Sequence, residues 1–145
     1  MSKSIVKAAC GLLVLVIAIT GLAACGPMSE PSYADAMAES ALQSMTECDY
    51  ATHVALYVPE AAETFTEGQF NTGCTQIESV VGNYTDKEFK SAREESGYIV
   101  VEYTCHFTDE PDDATATLYF EMIDEEAYIA GFWLASPKLN ALSEQ

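Results

Sequence analysis

Two hydrophobic periods divide the chain. From Ala34 to Val81 the apolar residues recur at helical spacing. From Thr85 to Leu134 they alternate, which is the period of a strand. Ala34, Met37, Ala38, Ala41, Leu42 and Met45 fall at i, i+3, i+4, i+7, i+8 and i+11, one apolar face of an amphipathic helix. Ser32 is its expected cap, with Asp35 three residues on, and the helix should end near Cys48. Its face is mostly alanine, so a partner surface can approach closely. Asp49 caps a short second helix to about Leu56, and Pro59 stops or restarts it. Thr66 opens a third helix with Gln69 completing a T-x-x-Q box. Phe70, Cys74, Ile77, Val80 and Val81 form its apolar face, and Gly82 is its stop.

The alternating half reads as four strands. Thr85 to Glu95 alternates weakly. Tyr98 to Phe107 alternates strongly, with Ile99, Val101, Tyr103, Cys105 and Phe107 on one face. Ala114, Ala116, Leu118, Phe120 and Met122 follow, then Tyr128 to Leu134, where Gly131 predicts a bulge. Short turns between sequential strands predict an antiparallel meander. Helices first and strands second predict α+β: N-terminal helices packed on one curved antiparallel sheet. Ile99, Val101, Tyr103, Leu118 and Phe120 should lie between sheet and helices. The expected domain runs from residue 32 to 137, followed by a frayed tail over 138–145.

The first residues follow neither period. Lys3 and Lys7 precede an apolar run from Leu12 to Ile19, and small residues close it at Leu22-Ala23-Ala24-Cys25. This order of charged, apolar and small regions is that of a secretory signal. Leu-Ala-Ala-Cys resembles the lipobox of prokaryotic lipoproteins. The resemblance implies a signal peptide over 1–24, lipid on the Cys25 thiol, and a lipidated tether over 25–31. It places the domain outside the cytoplasm, anchored to the cell membrane. Two readings compete with it: a plain signal peptide, and a transmembrane anchor over the 17 residues from Ala8 to Ala24, the short edge of a bilayer span. Extended, the tether reaches roughly 20 Å at ~3.3 Å per residue.

Charge narrows the partners. All 23 acidic residues follow Cys25, and only Lys87, Lys90, Arg93 and Lys138 oppose them, a formal charge of −19. Such a field repels nucleic acid, so no nucleic-acid partner is expected. Three cysteines remain beyond Cys25, in a compartment where disulfides persist. Cys105 shares the apolar strand face and reads as a buried thiol. If one bridge forms, Cys48–Cys74 is the expected pair.

A second resemblance covers Met37 to Pro137. Glu47-Cys48-Asp49-Tyr50, Phe65-Thr66, Gly82-Asn83-Tyr84 and Ala127-Tyr128-Ile129-Ala130-Gly131-Phe132 occur in the order found in uncharacterised domains of prokaryotic lipoproteins. Those domains resemble the cystatin-like, nuclear-transport-factor-2-like cone superfamily. The resemblance implies a cone-shaped sheet with a pocket at its open end, and it carries no catalytic residues over. Tyr103, Phe107, Phe120, Tyr128, Phe132 and Trp133 are the candidate pocket lining, suited to a small apolar ligand, although such residues also simply fill cores.

Candidate catalytic chemistry is sparse. His53 and His106 are the only histidines. Either one beside a carboxylate could act as a general base in a small isomerase or hydrolase, and Asp49 stands four residues before His53. Equally, each could be a surface or core histidine. The acidic run Asp109-Glu110-Pro111-Asp112-Asp113 lacks the D-x-D-x-D-G pattern of a calcium loop and reads as a solvated hairpin. No metal site or cofactor is expected. The sequence therefore favours a tethered, non-catalytic domain that binds a small apolar ligand or a protein, with the small enzyme as the alternative.

Overall fold

The computed structural model describes residues 26–143. Cys25 and the preceding signal-like segment lie outside the described residues. Among the described residues, no helix is long and apolar enough to cross a membrane.

The chain is α+β, with helices first and a sheet after them. The helices are α1 (Ala34–Glu47), α2 (Tyr50–Val54), α3 (Pro59–Ala62) and α4 (Glu67–Val81). Four strands follow: β1 (Tyr84–Glu95), β2 (Tyr98–Phe107), β3 (Glu110–Ile123) and β4 (Glu126–Ala135). A last helix, α5, spans Pro137–Ser143. The strands form one antiparallel sheet in the order β1-β2-β3-β4. Two-residue turns join three pairs. Ser96-Gly97 and Asp124-Glu125 both hold positive φ, the backbone hand that matches strand twist in a tight hairpin.

The core lies between the sheet and α1. Ala34, Ala38, Ala41 and Leu42 of α1 are fully buried against Val101, Tyr103, Leu118, Phe120 and Ile129 of the sheet. Ile99 is half-buried at the margin of the same face. The alanine stripe adds little bulk of its own, so Leu42 and the side chains of the sheet fill the space between helix and sheet.

Several local expectations need correction. The α1 N-cap is Tyr33, with no side-chain cap; Ser32 sits in the turn before it. The α1 C-cap is Cys48 in the left-handed region, φ 52°. Asp49 does cap α2, accepting from the Thr52 amide. At α4 both halves of the Thr66–Gln69 capping box form. Gly82 ends that helix at φ 79°, and a Cβ there would overlap Thr108 Oγ1. The acidic run is only partly a turn: Glu110 to Asp113 already belongs to β3. Glu110 is buried and accepts from the Lys138 amide at 3.0 Å. The end expected to fray opens as α5 instead, with Ser136 Oγ capping the Leu139 amide at 3.2 Å and Pro137 at the first helical position.

The segment after Cys25 is docked on the sheet rather than free. Met28 bridges to Ala92 on β1, its amide donating to the Ala92 carbonyl at 3.2 Å. Tyr103 Oη donates to Glu30 at 2.6 Å. Lys87, turned inward from β1, keeps only 5% of its side chain exposed. It reaches Asp35 at 2.6 Å and Glu39 at 3.4 Å on α1, and lies 5.0 Å over the Tyr103 ring. Tyr84 Oη adds a bond to Glu39 at 2.7 Å. This polar seam pins α1 and the N-terminal segment to β1.

Cys48 and Cys74 are joined by a disulfide with Cα atoms 5.9 Å apart, which ties the end of α1 to α4. Cys105 is a free, buried thiol, and burial raises its pKa to about 12.

Candidate functional site

An open cleft of about 250 Å³ lies where α4 spans the ends of α1 and α2. Met45 comes from α1, His53 from α2, Phe70 and Ile77 from α4, and Phe65 from the turn before the capping box. Tyr57 completes the wall, and Gly73 sits at the rim. Tyr57 is held by a short parallel bridge to β4. The Val58 amide donates to the Ile129 carbonyl at 3.0 Å, and the Ile129 amide to the Leu56 carbonyl at 2.8 Å. Aromatic rings dominate the lining. His53 lies 4.7 Å from Phe70, and Tyr57 meets Phe65 edge-on at 5.5 Å. Tyr50 buttresses both phenylalanines from behind, at 6.1 and 5.8 Å, and its hydroxyl donates to the Phe65 carbonyl.

The two polar rings of the cleft, His53 and Tyr57, are hydrogen-bonded to each other, and His53 also to Ser44 behind it. Ser44 Oγ donates to the Ala41 carbonyl at 3.1 Å and lies 2.9 Å from His53 Nδ1. Its proton is thus committed to the backbone. This assigns the histidine hydrogen to Nδ1, pointing at Ser44, and leaves Nε2 to accept from Tyr57 Oη at 3.1 Å. Burial lowers the His53 pKa and raises that of Tyr57, so both are neutral near pH 7. Asp49 does not reach His53; it caps α2 through Thr52 instead. Among the described residues no carboxylate backs His53, and a neutral histidine beside a serine bonded to the backbone is not an activated nucleophile pair.

His106 does meet carboxylates, on the opposite face of the sheet. Its Nδ1 is 2.7 Å from Asp86 and its Nε2 3.3 Å from Asp113. The bond to Asp86 raises its pKa. The group stands in solvent on that face. Among the described residues no cluster of His, Cys, Asp and Glu is arranged to hold a metal ion.

The strand aromatics expected to line a pocket do not come together. Tyr103, Phe107 and Phe120 are buried in the core. Phe132 reaches the back of the aromatic group, 6.3 Å from His53. Tyr128 and Trp133 pair with Glu121 and Thr117 on the face away from the helices. The cleft is built from the helical half instead. Its signal in the sequence was the spacing of Tyr50, His53 and Tyr57, together with Phe65 and Phe70 flanking the capping box.

No family model matches the chain. No curated protein matches it either. Among solved structures it is similar to the solution structure of a SEC-C motif-containing protein from Rhodopseudomonas palustris, at 12% identity and a TM-score of 0.51. The match covers 70% of this chain and 77% of that one. At that identity the likeness is one of fold.

Proposed function

We propose that the protein is a membrane-anchored extracytoplasmic lipoprotein whose domain binds small apolar molecules without transforming them. The aromatic cleft carries the binding half of this reading. It is concave and lined by rings, and its histidine and tyrosine are neutral and bonded to each other, as in sites that hold an apolar ligand by burial. The Leu22-Ala23-Ala24-Cys25 sequence supports the anchor. Helices followed by a meander is the arrangement that the cone resemblance implies, which supports placing the domain in that superfamily. With Met28 docked on β1, only Gly26 and Pro27 separate Cys25 from the sheet, a reach of about 10 Å over three Cα–Cα steps. The domain would then sit directly on the membrane surface, where apolar molecules partition.

An isomerase or hydrolase needs a histidine and a carboxylate inside a concavity. Among the described residues no carboxylate reaches the histidine in the cleft, and the histidine that meets carboxylates stands in solvent on the far face of the sheet. Binding is therefore the better-supported reading.

Two measurements test the two halves separately. Mass spectrometry of the N-terminal peptide from membranes should find diacylglycerol on Cys25; an unmodified cysteine there ends the anchor. The uncharged dye N-phenylnaphthylamine should bind saturably with enhanced fluorescence. Gly73→Leu should abolish that binding, because a Cβ at Gly73 meets nothing within 4 Å and the side chain can grow across the rim. The same change should leave the fold intact, since leucine favours a helix interior over glycine by about 1 kcal/mol. Undiminished dye binding by folded Gly73→Leu would end the cleft reading.

A further inference from the structure

The face of the sheet turned away from the helices carries an organised aromatic surface that the cleft does not use. Trp133 stands 66% exposed on β4 and pairs with Thr117. Tyr119, two residues along β3, pairs with Gly131, and its ring lies against that glycine, 3.4 Å from where a Cβ would stand. Tyr98 meets Tyr119 edge-on at 6.4 Å. Between them Val100, though on this outer face, is completely buried. Tyr98 and Tyr119 are therefore packed on one another, with Trp133 standing out beside them on β4. Glu121 pairs with Tyr128, whose hydroxyl donates to Glu126 at 2.8 Å.

Charge is distributed unevenly over this face. On the β1–β2 half, Arg93 meets Glu95 and Glu102 at 2.9 Å each, and Lys90 approaches Glu102 at 3.7 Å. On the β3–β4 half, Glu121 and Glu126 have no basic partner among the described residues. Rings and unneutralised carboxylates thus share one half of the sheet.

We propose that this half, centred on Trp133, Tyr119 and Glu121, docks an extended Lys/Arg-rich segment of a partner protein. A guanidinium or ammonium over an aromatic face gains from the ring quadrupole, and most so over tryptophan. Arginine stacks flat on such rings and forks onto a carboxylate at the same time. An apolar partner would strip water from Glu121 and Glu126 without replacing it. An anionic partner is repelled by the charge of −19 after Cys25. The basic segment alone satisfies both kinds of group.

Trp133 is the chain's sole tryptophan, so its emission reports on this surface directly. An alternating Lys-Arg peptide, free of aromatics, should shift that emission saturably in physiological salt. By calorimetry, Trp133→Ala should weaken the peptide about 3- to 5-fold, the value of one exposed cation–π contact. Glu121→Gln should weaken it comparably. Glu88→Gln removes an equal charge from the β1 end of the same face and should change affinity less than about 2-fold. Three results would overturn the proposal: no binding of the peptide, binding without an emission change, or equal losses for Glu121→Gln and Glu88→Gln. The last would mean that the peptide follows only the overall field. Trp133 and Glu121 are surface residues, and circular dichroism of each variant checks that the fold is unchanged.

Discussion

Helices α1 and α4 differ by one residue in length, 14 against 15, yet the fold uses them in opposite ways. α1 is closed onto the sheet. Its stripe of Ala34, Ala38, Ala41 and Leu42 is fully buried, and Asp35 and Glu39 are pinned by Lys87. α4 fully buries only Cys74 and Val81. It is held at its middle by the disulfide and at its end by the turn after β2, where the Asp109 amide bonds the Val81 carbonyl at 2.9 Å. On either side of the disulfide its Phe70 and Ile77 face rings across a gap. Small side chains let α1 close completely. Large side chains on a helix fixed by a covalent tie leave α4 standing off, and the cleft is the space that results.

Core truncations should expose the contrast most sharply. Leu42→Ala in α1 should cost ~2–5 kcal/mol, and Leu118→Ala beneath it the same, because neither site can collapse. Ile77→Ala in α4 should cost less than half as much, since that side chain is already half-exposed to the cleft. Urea unfolding of the three variants decides; equal losses would mean that α4 is as closely packed as α1. Removing the tie comes next. Cys48→Ser with Cys74→Ser opens a loop with a sequence separation of 26, worth ~3 kcal/mol in the chain-entropy model. Dye binding at the cleft should weaken with it, while the α1 seam persists. Lys87→Met keeps the buried stem and deletes the ion pairs. Asp35 and Glu39 are partly in solvent, so the loss should be only ~1–2 kcal/mol, read as a lower unfolding midpoint.

The apolar stripe of α1 and much of α4 were legible in the sequence, because helical periodicity and the α4 cap are local. Thr66 and Gln69 name their own box, and the alanine stripe names its own face. Parity along the strands was less legible, because a bulge reverses it. β1 has register shifts between Tyr84 and Asp86 and between Phe89 and Ser91, and between these shifts Lys87 and Phe89 face inward. Nothing in its alternation announced a buried lysine. The register shift between Tyr119 and Phe120, opposite Ala130, likewise sends Trp133 outward while Phe132 turns in. Gly131 signalled that irregularity without giving its phase. The cleft depends on Tyr57, whose position is set by a bridge to a strand 72 residues later, a contact no local pattern encodes. α5 was readable after all, since Ser136 before Pro137 is a cap followed by a first-turn proline.

The smallest effect concerns protons. His53 has its folded pKa below the unfolded value of about 6.5, so acid protonates the unfolded chain first. Stability from this site is full above that pH and falls as pH drops through it. His106 has the opposite sign. Its raised pKa favours the fold below about 6.5, and that gain fades as pH rises through the folded value. Being exposed to solvent, it is largely screened, and the buried site should dominate. Replacing His53 with Gln should therefore flatten the slope of unfolding midpoint against pH between about pH 5 and 7, whereas replacing His106 should barely alter it. A larger change from His106 would reverse that ranking.

Methionine methyl groups provide the most direct test of the cleft. Met45 lines it, while Met122 lies 49% exposed at the far end of β3. In a protein labelled with ¹³C at methionine methyls, N-phenylnaphthylamine should move the Met45 signal saturably and leave Met122 in place. A Met45 signal that stays fixed while dye fluorescence saturates would contradict the account, because the ligand would then be bound somewhere other than beneath α4.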